Sequence, residues 1–293
     1  MTAADNLRGS FFMVVAMAGF AVEDMFLKAA GKTLPLGQIL LIFGLGGLTA
    51  FCVLARRKGQ PIWSSDYLSP AILVRSAFEA TGRVFYALAF LLIPLSVASA
   101  ILQATPLVVI ASAAVLLGER VGWRRWTAVG VGLCGVLLIL RPGLDGFDAS
   151  AMLAVVGMIG FAGRDVATRV APKTLSNLQL GICGFGVLTL AGAGLMLWQG
   201  GVRLPSAVEA AYLVTATCFG VFAYNSLTVA MRTGEVGAVT PWRYTRLVFA
   251  MILGIAVFGE RPDLLTIIGS VIVVSSGTFA LLRARKAASE SLT

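Results

Sequence analysis
The chain of 293 residues is 58% hydrophobic and only 13% charged, with a mean hydropathy of +0.90; this excludes a water-soluble fold, whose interior could not hide so much apolar area. The formal charge of +9 invites a nucleic-acid partner, but the basic residues fall mostly in loops on one side of the apolar blocks, so no nucleic acid is expected. Cys52, Cys134, Cys183 and Cys218 stand singly inside apolar stretches and histidine is absent. The cysteines read as packing residues, and a disulfide framework, a metal site and most haem chemistry drop out, leaving no cofactor to expect.

Apolar blocks of about 20 residues, the length that crosses roughly 30 Å of hydrocarbon, predict ten helices. They lie at 7–28, 35–55, 69–92, 95–117, 124–141, 149–169, 176–198, 207–231, 237–258 and 264–282. A barrel is excluded, because its alternating ten-residue segments are missing. The first block carries Phe20, Glu23 and Asp24 and has no small-residue cleavage site after it, so it is read as a retained span and not a signal peptide. Gly31-Lys32-Thr33 resembles the end of a phosphate-binding loop, but Phe26 stands where the loop needs its first glycine. ATP-driven transport by this chain alone is thereby excluded.

In the third block Arg75, Glu79 and Arg83 recur every four residues, and Tyr86 continues the same helix face. This is either an internal ion-pair ladder or the wall of a cavity. The fourth block holds Gln103 and Pro106; the proline frees a carbonyl and predicts a kink there. Gly130, Gly132 and Gly135 in the fifth block, with Gly181, Gly184 and Gly186 in the seventh, predict close helix contacts. The sixth block carries Phe161, Arg164 and Asp165, and the eighth carries Tyr224 and Asn225. Gln103, Tyr224 and Asn225 serve equally as interhelical hydrogen-bonding groups or as cavity groups. The ninth opens with Pro241-Trp242-Arg243-Tyr244-Thr245-Arg246, where a guanidinium could hold a carboxylate and a ring could stack on a substrate. Snorkelling arginines beside an interfacial aromatic anchor are the alternative there.

Away from their ends, these spans hold nine charged residues: Glu23, Asp24, Arg75, Glu79, Arg83, Arg164, Asp165, Arg243 and Arg246. At about 2.5 to 3.5 kcal/mol each, placing all of them in lipid would cost roughly 20 to 30 kcal/mol. Arg75 and Arg164 lie close enough to a boundary to snorkel, while the others need partners or water. Glu23 and Asp24 point about 100° apart on a helix, so only one of them is expected to look into a cavity.

An offset of 141 residues relates Gly19-Phe20-Ala21 and Asp24 to Gly160-Phe161-Ala162 and Asp165. The same offset of 141 relates Lys32-Thr33-Leu34 to Lys173-Thr174-Leu175, Gln38 to Gln179, and Gly118-Glu119-Arg120 to Gly259-Glu260-Arg261. Each half holds five crossings, an odd number, so the second half, 146–293, enters the membrane from the face opposite to the first, 1–145. Such inverted pairs build transporters with a site near the midplane. The fold class is therefore all-α integral membrane, with ten helices as two inverted five-helix repeats around a central cavity.

Two five-helix halves, a Gly-Glu-Arg closing the fourth span of each, and glycine-rich fifth and tenth spans resemble the drug/metabolite transporter superfamily, EamA-type branch. Within it the chain is most similar to bacterial exporters of aromatic amino acids and methyl viologen. The resemblance implies a basket formed by spans 1 to 4 and 6 to 9, with spans 5 and 10 outside, and substrates such as amino acids and other small metabolites.

A secondary transporter exporting small amphipathic metabolites by alternating access, with aromatic and other neutral amino acids as first choice and toxic compounds such as methyl viologen beside them, is the expected function, and its partners are a small-molecule substrate and the lipid bilayer. A monomer suffices for it. The residues expected around the substrate are Phe20, Glu23, Asp24, Glu79, Arg83, Tyr86, Gln103, Phe161, Asp165, Tyr224, Asn225, Trp242, Arg243, Tyr244 and Arg246. An exporter of another metabolite or a cationic drug, and a passive channel or lipid scramblase, are the alternatives. An intramembrane enzyme is disfavoured, since no nucleophile stands with a base. Thirteen basic residues fall in the loops on the side of the N-terminus against five on the other, which places both ends in the cytoplasm of a bacterial inner membrane. Tags fused to the two ends should both be inaccessible from outside intact cells; tags reached from opposite sides would overturn that topology.

Overall fold
The computed structural model describes residues 3–116, 122–141, 148–169, 172, 174–233 and 239–290. Among them all regular structure is helical: α1 (Ala3–Ala30), α2 (Leu36–Arg57), a 3-10 turn (Ser65–Leu68), α3 (Pro70–Leu92), α4 (Leu95–Leu102) and α5 (Thr105–Leu116). There follow α6 (Trp123–Leu140), α7 (Ala151–Arg169), α8 (Asn177–Gln199), α9 (Ala207–Thr233), a second 3-10 turn (Thr240–Tyr244), α10 (Thr245–Phe258) and α11 (Leu264–Glu290). Helices α4 and α5 are the two parts of one span, Leu95–Leu116, so the chain crosses ten times.

Proline sets several of the helix starts, where its missing N–H costs nothing. Pro35 and Pro94 precede α2 and α4, and Pro70 opens α3. Helix α8 begins with a reciprocal cap between Ser176 and Gln179. Seven spans are long and apolar enough to cross a bilayer, and Trp126–Leu140 and Leu264–Ala280 are shorter apolar helices. The remaining span, α3, is as long as its neighbours but carries Arg75, Glu79 and Arg83.

The halves interlock. Helix α1 lies along α9, α2 along α8, α3 along α7, α4 against α10, and α6 along α11. Exchanging first half for second leaves this pattern unchanged, since α1 with α9 becomes α7 with α3 while the other pairs map onto themselves. Side-chain ties repeat in the same way. Thr33 donates to Glu209 and Thr174 to Asp66, while the Gln38 amide donates to the Arg203 carbonyl at 2.6 Å and Gln179 to the Pro61 carbonyl at 3.2 Å. A Cβ on Gly160 would meet the backbone N of Gly82 at 2.4 Å, and one on Gly19 would meet the Cβ of Ala223 at 2.9 Å. Only glycine permits so close a crossing at these two equivalent places.

The fourth spans of both halves break at matching points. Helix α4 ends at Leu102, capped by Gln103 two residues before α5 begins, and the 3-10 turn ends at Tyr244 immediately before α10. The break therefore precedes Pro106, which sits in the first turn of α5. Of the expected glycine contacts, Gly132 and Gly135 face α11, whereas Gly130 faces open space, and Gly184 and Gly186 have only ordinary van der Waals neighbours. These three lie on other faces of their helices. Cys134 and Cys218 are exposed on the bundle exterior, so they do not pack as expected. Gly118-Glu119-Arg120 and Lys173 lie outside the described residues.

Glu260 ties the second half to the first. Its carboxylate accepts from the backbone N–H of Leu95 and Ser96 at 2.6 and 3.0 Å, from the Ser96 hydroxyl at 2.7 Å and from Lys28 at 3.2 Å. It thus caps α4, contributed by the other half, and Lys28 also donates to the Ile93 carbonyl at 2.8 Å. Burial by itself raises the Glu260 carboxyl, but the Ser96 and Leu95 hydrogen bonds and the Lys28 charge outweigh it and hold the group below the ordinary carboxylate range. A depressed folded value contributes stability that is present above the unfolded value and lost as pH falls through the folded one. Glu260→Gln should therefore lower stability at neutral pH by about 2 kcal/mol and flatten the acid limb of a thermal-melting profile measured in detergent.

Candidate functional site
Helices α1, α3, α7 and α10, with the 3-10 turn before α10 that carries Arg243, bring the nine predicted charges into one interior cluster. Helix α1 lies between α3 and α10, and so both of its acids face inward, each toward a different neighbour. Glu23 accepts from Arg83 Nη1 at 2.9 Å, while Asp24 accepts from Arg246 at 2.6 Å and from the Tyr86 hydroxyl at 3.3 Å. The expectation that only one would do so fails, because a 100° separation suits a helix with partners on two sides.

Glu79 is the hub. Arg75 and Arg164 each donate to it at 3.3 Å, and Arg83 lies 3.7 Å away. Arg75 also donates to Thr168 at 3.0 Å and is only 5% exposed. Neither Arg75 nor Arg164 snorkels, since Glu79 and Asp165 supply closer partners than the membrane surface. The Nε and Nη2 of Arg164 converge on Oδ1 of Asp165 at 3.0 and 2.7 Å, and the Asp165 side chain is 26% exposed.

Among the described residues, Arg243 is the arginine of this cluster with no ion pair or hydrogen bond to its guanidinium. Asp165, Arg164 and Arg246 are its charged neighbours. Its backbone carbonyl accepts from Gln103 at 3.1 Å, so the two broken spans touch at their breaks. Tyr86 hydrogen-bonds Ser99 at 3.1 Å.

Of the aromatic residues, Phe20, Tyr86 and Phe161 are drawn into the cluster, with arginines on their faces. Arg246 stands 5.3 Å from the Phe20 ring and 5.6 Å from Tyr86, and Arg164 stands 4.9 Å from Phe161. Three other predicted residues lie apart. Tyr244 is packed on Gly277 of α11, Trp242 is half exposed, and Asn225 donates to the Val221 carbonyl of its own helix. Tyr224 packs edge-on to Phe51 and approaches the Asn177 carbonyl at 3.5 Å. Sequence reasoning missed Ser99, Thr168, Phe43 and Gly220 as members of the cluster. Thr168 had the one usable signal, a polar residue one turn after Arg164.

Models of known families match the two halves separately. The EamA-like transporter family matches at residues 7–141 and again at 149–282. The chain belongs to that family. It is a multi-pass membrane transporter of small molecules and not an enzyme. The pseudopaline exporter CntI of Pseudomonas aeruginosa is 29% identical over 281 residues, covering 95% of this chain and 97% of that one. The S-adenosylmethionine uptake transporter of Rickettsia prowazekii is 26% identical over 196 residues, 67% of this chain and 66% of that one. The riboflavin transporter of Rhizobium johnstonii is 26% identical over 213 residues, 71% and 69% of the two chains. A crystal structure 19% identical, covering 98% of this chain and 99% of its own, superposes with a TM-score of 0.65 and shares the fold.

Glu79→Gln leaves Arg75, Arg83 and Arg164 short of a buried partner. It should cost about 3 to 5 kcal/mol, read as a lower melting temperature in detergent, whereas Arg83→Ala should cost less because that side chain is 20% exposed.

Proposed function
We propose that this EamA-type transporter exports small amphipathic carboxylate-bearing metabolites by alternating access, with aromatic and other neutral amino acids as its first substrates. The observation that carries the reading is the imbalance of the cluster. Among the described residues, Glu23, Asp24, Glu79 and Asp165 neutralise Arg75, Arg83, Arg164 and Arg246, and Arg243 is left over. A half-buried guanidinium without a carboxylate is a receptor for one, and two parallel hydrogen bonds give it orientation as well as strength. Asp165 lies nearby with both Arg164 contacts on a single oxygen, which leaves Oδ2 for a substrate ammonium. Broken helices meeting at Gln103 and Arg243 are the usual construction of a transporter site.

Export as the direction draws on the exporter relative, which matches over nearly its whole length. The proposal includes a bacterial inner-membrane location with both termini cytoplasmic, repeats divided near residue 145, and a functional monomer.

Counterflow of labelled phenylalanine in proteoliposomes tests the reading, since a pore gives none. Unlabelled tryptophan, threonine and methionine should compete. Arg243→Ala should weaken that competition about 10- to 100-fold, the equivalent of one charged hydrogen bond, with Arg243→Lys in between. If the amino acids fail to compete while a sugar phosphate or methyl viologen does, the amino-acid reading is wrong.

A further inference from the structure
Four carboxylates lie in the interior cluster, and Glu23 is the least completely held. Glu79 has three arginines around it, Asp24 has Arg246 and Tyr86, and Asp165 takes two N–H groups from Arg164. Glu23 is 1% exposed, and Arg83 reaches only its Oε1, at 2.9 Å. Its Oε2 is buried with no hydrogen-bond partner. That oxygen is seated against Gly220 of α9, so closely that a Cβ there would come within 2.9 Å of it. A charged oxygen buried without a protein donor carries a large desolvation cost. A proton placed on Oε2 removes that charge, and no hydrogen bond is given up.

The surroundings supply the consequence of such a proton. From α3, Arg83 faces Glu23 with Glu79 behind it; from α1 itself comes Asp24, and from α10 comes Arg246. Helix α9 contributes the uncharged Gly220, and α2 contributes Phe43, whose ring lies 6.0 Å from the Arg83 guanidinium. Arg83 thus stands between two acids, hydrogen-bonded to Glu23 and 3.7 Å from Glu79. When Glu23 is neutral, the attraction that holds Arg83 toward α1 disappears and Glu79 keeps it on α3.

We propose that Glu23 is the binding site for a transported proton, and that Arg83 passes between Glu23 and Glu79 according to whether that proton is present. The inference rests on the transporter reading but not on the identity of the solute. The proton adds to Oε2 from the aqueous phase on one side and leaves to the other; the O–H bond is the only covalent bond made or broken, and Arg83 remains a cation throughout. Loading and release of Glu23 thereby switch an ion pair between α1 and α3. An inward proton gradient then drives export through the same cluster.

The test uses the full chain in lipid vesicles with no solute added, followed by infrared difference spectroscopy after a step to acid pH. The carbonyl stretch of a protonated carboxylic acid should appear in the wild type, disappear in Glu23→Gln and persist in Asp165→Asn. Because Glu23→Gln leaves Arg83 without its closest partner, Glu23→Gln/Arg83→Gln, in which both charges are gone, is measured beside it and should also lack the band. A band that persists in either variant, or that never appears in the wild type, overturns the proposal. A parallel arm with a pH-sensitive dye inside the vesicles should show proton movement driven by a phenylalanine gradient in the wild type and none in Glu23→Gln; proton movement of equal size in the variant also overturns it. Wild-type vesicles that show no phenylalanine counterflow would defeat the amino-acid reading, while the spectroscopic band still decides the proton site.

Discussion
Hydrocarbon offers neither water nor counterions, so ionised side chains inside a ten-helix bundle must pair with one another, as the four acids of the cluster do with four of its five arginines. The arrangement of α1, α3, α7 and α10 follows from that constraint. Glu79 on α3 reaches Arg164 on α7, Arg83 on α3 reaches Glu23 on α1, and Asp24 on α1 reaches Arg246 on α10. Each tie joins two different helices, and two of the three join the halves. Removing one member leaves its partner charged in a medium that cannot solvate it, which makes the network a strong determinant of register. Buried ion pairs gain little net free energy over apolar packing, and their contribution here is to specify which helices meet and at what height.

The scaffold is symmetric and its chemistry is not. The 141-residue offset relates the glycine crossings, the Gln38 and Gln179 ties and the breaks in the fourth spans. At the same offset of 141, however, Glu79 corresponds to Gly220, Arg83 to Tyr224, Glu23 to Arg164 and Arg246 to Thr105. Backbone packing can be duplicated, because two inverted copies fit by the same small-residue contacts. A binding site cannot, because a single asymmetric solute must be met by different groups from the two sides. The place where Glu79 has its counterpart, Gly220, is the seat of the orphan oxygen of Glu23.

The family places unlike solutes on one architecture. Relatives that carry pseudopaline, S-adenosylmethionine or riboflavin are all within reach of this sequence at 26 to 29% identity. A fold shared at 19% identity fixes the helices, while the groups lining the interior set what is bound. Among the described residues, the interior cluster carries one more guanidinium than carboxylate, and the extra one lies at a helix break.

The sequence by itself determined the ten spans, their boundaries to within a few residues at most helix ends, the inverted repeat and the list of interior charges. Those features depend on local quantities: apolar length against bilayer thickness, proline and glycine placement, and a constant offset. It also disclosed the Arg75, Glu79, Arg83 ladder, because helical periodicity is local. Pairing between helices was a different matter. That Glu23 and Asp24 both turn inward, that Arg75 and Arg164 find partners in place of the membrane surface, and that Glu260 caps α4 were decided by tertiary structure. Residues such as Glu260 and Ser96 are 164 positions apart, and no periodicity connects them. The separation of Tyr244, Trp242 and Asn225 from the cluster has the same origin. Composition shows that buried charges need partners, and only the packing of helices in three dimensions selects which ones they get.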